Sequence, residues 1–192
     1  MKYSDEQLVE RFLGGEEKAL GALVEKYLKP LYNFAYQLTR DQGAAEDVVQ
    51  ETFVKVWKNL PAFDSGKKFS TWAYAIAKNT AYDFLKKKKS VSFAAFEKED
   101  GENMLENICD ENVLYSEALW QKIDNEKDAQ AFLDTLAPQI KTILLLHHQQ
   151  GFALTEIAEI MGHSPNTVKS KYRRAILSLR KSISAKNALS KA

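Results

Sequence analysis

Residues 154–180 read LTEIAEIMGHSPNTVKSKYRRAILSLR, and no other stretch restricts the fold of this chain as tightly. Leu154, Ile157, Ala158 and Met161 fall at helical spacing. Gly162 follows, where the chain must leave the helix through a left-handed conformation that glycine adopts at little cost. His163 and Ser164 complete a tight turn. Ser164 is a favoured N-cap and Pro165 a favoured first helical residue, so a second helix starts there instead of continuing the first. Its apolar stripe is Val168, Tyr172, Ala175, Ile176, Leu179 and Ile183, which leaves Lys169, Ser170, Arg173 and Arg174 on the opposite side. A helix, a glycine turn and a basic second helix suit the major groove of DNA: the cations neutralise phosphates or donate to guanine edges, and Ser170 both donates and accepts. A charged face that merely meets solvent is the alternative.

Upstream, the chain reads as helices without strand alternation or an internal repeat. Ser4 with Gln7 has the form of a capping box before Leu8, Val9, Phe12 and Leu13, and Gly14-Gly15 ends that helix. A second helix is expected from about Glu16 to Thr39, with Leu20, Leu23, Val24, Tyr27, Leu31, Phe34, Ala35 and Leu38 as a wide apolar face, kinked or interrupted at Pro30. A third starts near Asp41. Its core positions are Ala45, Val48, Val49, Thr52, Phe53, Val56 and Leu60. Asp47, Gln50, Glu51 and Val54 fall at i, i+3, i+4 and i+7 on the outer side. An acidic face with an apolar centre suits docking on a basic partner helix, and a solvated face is the equal alternative.

The segment from Ala62 to Phe69 precedes a fourth helix, with Ser70 as the expected N-cap and Phe69 against Tyr74 as a hydrophobic staple. This helix carries Trp72, Tyr74, Lys78, Asn79 and Tyr82 and ends in Lys86 to Lys89. Flat rings, cations and an amide are what unstacked bases need, although Trp72 fits core packing equally well.

Charge divides the chain where its overall balance of +1 does not. Residues 1–90 hold 15 Lys+Arg against 12 Asp+Glu, residues 91–130 hold 3 against 11, and residues 131–192 hold 9 against 3. The acidic middle also loses helical periodicity, so a linker is expected over residues 91–128, between a helical domain at 1–90 and another at 129–192. Extended, its roughly 38 residues would span on the order of 100 Å. The predicted class is all-α, two small helical domains joined by an acidic linker.

A composition of 45% hydrophobic and 28% charged residues is ordinary for a globular protein. The apolar run Ile143 to Leu146 is far short of a membrane span, and no signal-peptide core precedes the first helix, so a cytoplasmic protein without membrane insertion is expected. One cysteine, Cys109, excludes an internal disulfide and a cysteine-based zinc cluster. His147 and His148 are neighbours on a helix and so point to different faces; no metal site and no cofactor are expected.

Taken together, Asp47-Val48-Val49-Gln50-Glu51-Thr52-Phe53 with Trp57, then Phe69 to Asn79, then the helix-turn-helix from Leu154 resemble an extracytoplasmic-function sigma factor of the sigma-70 family. The resemblance covers nearly the whole chain outside the linker. It implies two domains, sigma-2 and sigma-4, that bind core RNA polymerase through its β′ clamp helices and β flap and recognise the promoter minus-10 and minus-35 elements. It places Asp47, Gln50, Glu51 and Val54 at the polymerase. The loop from Phe63 to Phe69, including Ser65, Lys67 and Lys68, with Trp72, Lys78 and Asn79, then lies at unpaired minus-10 bases, and Lys169, Ser170, Arg173 and Arg174 at the minus-35 element. It also implies an anti-sigma partner and a linker that runs into polymerase channels. Ala75, where many relatives carry arginine, and Asn166, where glycine is frequent, depart from the pattern.

Two function classes follow: a promoter-specificity subunit that is not itself an enzyme, and a stand-alone helix-turn-helix regulator with an N-terminal interaction domain. No carboxylate cluster or nucleophile-base pair accompanies the DNA motif, so an enzyme is the weakest reading.

Overall fold

The computed structural model describes residues 3–87 and 126–189, with side chains described for residues 3–87 and 130–182. Residues 91–125 of the expected linker, Cys109, Lys88, Lys89 and the side chain of Ile183 lie outside the described residues. The described elements are α1 (Asp5–Leu13), α2 (Glu17–Thr39), α3 (Gln42–Asn59), a 3-10 turn (Leu60–Ala62), α4 (Phe69–Lys87), α5 (Glu126–Asp134), α6 (Pro138–Leu144), a π turn (Leu145–Gln149), α7 (Leu154–Met161) and α8 (Pro165–Leu189). No strand occurs among the described residues. By their contacts the helices fall into two compact units, α1–α4 with α7, and α5, α6 and α8.

Local chemistry sets two helix starts in the first unit. Ser4 Oγ accepts from Gln7 N at 3.2 Å while Gln7 Oε1 accepts from Ser4 N at 2.9 Å, which completes the capping box of α1. Asp41 caps α3 by accepting from Ala44 N at 3.0 Å. At the end of α1, Gly15 takes a φ of 96° and Leu13, expected on the apolar face, is exposed.

α2 runs unbroken through Pro30. A proline inside a helix costs about 3 kcal/mol. The apolar face offsets this, because Leu23 and Tyr27 before Pro30 and Leu31, Phe34, Ala35 and Leu38 after it are all buried. Each large side chain buried in this way contributes roughly 1.5–3 kcal/mol, so one lost hydrogen bond does not decide the local structure. Across from α2, Ala45, Val48, Val49, Thr52 and Val56 of α3 are buried, with Leu60 just beyond its end.

The second unit is built on Phe132 and Leu133 of α5, Ile140, Ile143 and Leu144 of α6, Leu145 and Leu146 of the π turn, and Val168, Tyr172, Ala175, Ile176 and Leu179 of α8, all buried. The stripe expected on α8 is therefore its inner side wherever side chains are described. Lys141 of α6 reaches back to Asp134 of α5 at 2.7 Å.

Candidate nucleic-acid interface

The start of α8 follows from its residues. Gly162 has a φ of 70° and no atom within 4 Å of where a Cβ would stand, so glycine serves the backbone conformation there and not a close approach. Ser164 Oγ accepts from Thr167 N at 3.1 Å and lies 2.8 Å from the Thr167 hydroxyl, and Pro165 is the first helical residue. Lys169 and Ser170 are exposed on the next turn, with Arg173 and Arg174 half-buried one turn further. Lys171, between them in sequence, turns inward: it is buried and donates through Nζ to Gln139 Oε1 of α6. The basic run is thus split between an outer face and an anchor. Asn166, in the first turn, is exposed.

Behind that face, His147 and His148 come together against Tyr172. Their rings lie 4.9 Å apart, and both meet the Tyr172 ring, at 5.0 and 5.8 Å. Simple α-helical geometry separates neighbouring side chains, and here the backbone instead widens into a π turn over Leu145–Gln149. His147 Nδ1 donates to the Phe152 carbonyl at 2.8 Å, fixing its tautomer.

On α3, Asp47, Gln50, Glu51 and Val54 are all exposed, Val54 by 46%. Lys55 pairs with Glu51 at 2.8 Å and donates to Thr80 of α4 at 3.0 Å, so one cation ties the acidic face to the next helix. Its hydrogen bond is the main reason the Glu51 carboxyl sits below its ordinary range. Trp57 is 55% exposed, one turn beyond Val54. An indole at i+3 from an outer valine is the sequence signal that Trp57 extends the apolar centre of the face.

The third region joins the 3-10 turn to α4. Asp64 holds the loop by accepting from Gly66 N at its side chain, 3.0 Å, and from Lys67 N at its carbonyl, 2.9 Å. Ser65, Lys67 and Lys68 are exposed. Phe63, Phe69 and Trp72 form a cluster with ring separations of 5.1 to 5.9 Å, which leaves Trp72 only partly covered. Two local expectations differ from what is found. α4 starts at Phe69, placing Ser70 inside it, and Phe69 N donates to Glu6 Oε1 of α1 at 3.1 Å, so the acceptor for its first amide comes from a distant residue. Phe69 packs on Tyr27, Phe63 and Trp72, while Tyr74 is edge-on to Phe34 at 5.4 Å.

Further along α4, Asn79 is exposed but Lys78 is only 7% exposed, and burial holds its amine below the ordinary lysine range. Its Nζ lies 5.8 Å from the centre of the Tyr82 ring. Lys68 is paired with Glu156 of α7 at 2.6 Å, within the first unit.

Residues 23–91 match the family description Sigma-70 region 2, and residues 127–179 match Sigma-70, region 4. Over 171 residues, 88% of this chain and 91% of its relative, the sequence is 30% identical to the ECF RNA polymerase sigma factor SigW of Bacillus subtilis (strain 168). It is 32% identical over 179 residues, 90% of each chain, to the ECF RNA polymerase sigma-E factor of Escherichia coli (strain K12). The chain belongs to the ECF sigma factors of the sigma-70 family. Among solved structures, CnrH in complex with the cytosolic domain of CnrY aligns with a TM-score of 0.67 at 22% identity, covering 94% of this chain and 97% of that one. The sigma factor RpoE of Bartonella quintana, in complex with the anti-sigma factor NepR, gives 0.61 at 23% identity, covering 85% and 98%. These two likenesses concern the fold.

As a member of this family the protein is an RNA polymerase sigma factor, acting in transcription initiation. A stand-alone regulator with an unrelated N-terminal domain is set aside, because sigma-70 region 2 occupies the N-terminal helices of this sigma factor. No helix among its described residues is long and apolar enough to cross a membrane.

Proposed function

We propose that this sigma factor divides its work among the three surfaces, using a domain at residues 1–90, an acidic linker at 91–128 and a domain at 129–192. Asp47, Gln50, Glu51 and Val54, joined by Trp57, dock on the clamp helices of polymerase β′; the C-terminal domain docks on the β flap. Acidic side chains around an apolar centre provide steering and a desolvated contact at once. The loop bearing Ser65, Lys67 and Lys68, with Trp72, Lys78 and Asn79, holds unpaired minus-10 bases. Lys169, Ser170, Arg173 and Arg174 read the minus-35 element from the major groove. The protein carries out no chemistry of its own and works in the cytoplasm, where the polymerase does.

The observation that supports this reading most is the presence, in one chain, of two different exposed basic surfaces. One is a helix start with outward Lys169 and Ser170, suited to duplex. The other is an exposed basic loop backed by the Phe63, Phe69 and Trp72 rings, suited to unstacked bases. A helical anti-sigma regulator that covers the polymerase-binding surfaces completes the proposal; that RpoE of Bartonella quintana forms a complex with the anti-sigma factor NepR is in keeping with such a partner. Co-purification with core polymerase followed by runoff transcription tests the central part. Promoter-dependent transcripts that need this chain are expected, and core binding without them would refute the promoter-reading assignment.

A further inference from the structure

None of the motifs of this chain, and none of the surfaces assigned above, gives α1 a role. Its first turn is nevertheless tied to the start of α4 from two sides. Glu6 Oε1 accepts from the backbone N–H of Phe69 at 3.1 Å, across 63 residues of sequence. Its neighbour Asp5 accepts from the Tyr27 hydroxyl at 2.6 Å, and the Tyr27 ring lies edge-on to Phe69 with centroids 5.4 Å apart. Burial first, then this bond to Asp5, pushes the Tyr27 hydroxyl far above the ordinary tyrosine range, so it stays a donor. Two consecutive acids thus converge on one residue: Glu6 on its backbone, and Asp5, through Tyr27, on its ring.

Phe69 is where the exposed loop becomes α4. Its ring meets Phe63 before the loop at 5.9 Å and Trp72 after it at 5.8 Å. Within the loop Asp64 accepts from Gly66 N and Lys67 N, and at its end Lys68 pairs with Glu156; the backbone contact at the loop's junction with α4 is the one at Phe69 N. An unpaired first amide would leave this junction free to fray, whereas a carboxylate there satisfies the donor and matches the positive end of the helix.

We propose that Glu6 is a positioning residue for minus-10 recognition: by holding Phe69 N it fixes how the basic loop and Trp72 are presented to an unpaired base. Glu6 itself touches no base. The inference rests on the assignment of the 63–69 loop to minus-10 bases.

The test uses the full chain assembled with core polymerase and a fluorescent single-stranded oligonucleotide of the cognate minus-10 non-template sequence. Glu6→Ala should weaken oligonucleotide binding roughly three- to thirty-fold, the range set by loss of one helix-capping contact. Glu6→Gln keeps an acceptor oxygen at the same reach and should stay within about twofold. Glu6→Asp keeps the charge but shortens the reach and should behave like the alanine variant. Affinity for core polymerase should be unchanged in all three, and Glu10→Ala, exposed on the same helix, should leave both affinities unchanged. Should Glu6→Ala fail to fold, the contrast between Gln and Asp still decides. Wild-type protein that does not bind the oligonucleotide would overturn the loop assignment and this proposal with it. Wild-type binding matched by Glu6→Ala or Glu6→Asp, or a Gln variant as weak as Asp, would overturn the role of Glu6 alone.

Discussion

The Tyr172 hydroxyl lies 3.2 Å from Nε2 of His148, and the two rings stack with centroids 5.8 Å apart. The contact lies on the inner side of the helix that carries Lys169 and Ser170, so that outer face is backed by a titratable group. Burial, followed by the neighbouring His147, pushes His148 down to about 4, which leaves it neutral at pH 7. An unfolded histidine titrates near 6.5, so between that pH and about 4 the unfolded chain holds a proton that the folded chain does not.

Stability contributed by neutral His148 is therefore complete above about pH 6.5 and is lost as the pH falls toward 4. The cost by pH 5 should be about 1 kcal/mol, since partial exposure screens the effect. Urea unfolding of wild-type and His148→Gln protein at pH 7.5 and 5 checks this. The pH-dependent loss should be smaller in the variant, and equal losses would remove His148 from the account.

Reversing Asp47 and Glu51 to lysine should weaken binding to core polymerase by about tenfold or more, because like charges then meet a basic partner. Helicity should hold, since both residues are exposed and the Glu51–Lys55 pair contributes roughly 0.3–0.5 kcal/mol at such a site. Trp57→Ala should weaken core binding as well, without loss of stability. Circular dichroism with a core-binding titration separates the two effects, and unchanged affinity would make this face a solvated one.

At α8, replacement of Arg173 or Arg174 by alanine should cost about 1–3 kcal/mol and relax preference at one or two minus-35 positions if the side chain meets a base edge. A phosphate contact behaves differently: all sequences weaken together and the salt dependence falls. At least one of Lys169, Ser170, Arg173 and Arg174 is expected to give the base-specific pattern in a selection over randomised minus-35 sequences. Four alanine variants with unaltered preferences would refute the assignment.

Gly162→Ala should destabilise the protein by about 1 kcal/mol through its left-handed backbone alone, because the space around it is open. Ser164→Ala should cost a similar amount by removing the cap on Thr167 N. Chemical denaturation measures both, and a neutral Gly162→Ala would mean that the turn relaxes to another conformation.

What was legible in the sequence is what neighbouring residues decide among themselves. Ser4 with Gln7, Asp41 and Ser164-Pro165 each start a helix, and Gly162 ends one, as expected, each acting within about four residues. The acidic outer face of α3 and the inner stripe of α8 followed from helical period alone. What was not legible depends on distant partners. The acceptor for Phe69 N is Glu6, 63 residues away, and no local pattern marks it. Lys78 and Lys171 are buried by the helices packed around them, against the usual habit of lysine. Pro30 stays within a helix because tertiary burial on both sides outweighs its local cost, and the π turn brings His147 and His148 to a common tyrosine that α-helical spacing denies them.

The most direct measurement is transcription, by core polymerase with this purified chain, of a promoter library randomised across both upstream elements, with the transcripts sequenced. Transcription should depend on the chain and enrich two elements at fixed spacing. Preferences at the upstream element should change in variants of the α8 face, and those at the downstream element in variants of the 63–69 loop and Trp72. Transcription no greater than with core alone, or enrichment of a single element indifferent to the loop, would contradict the promoter-reading assignment.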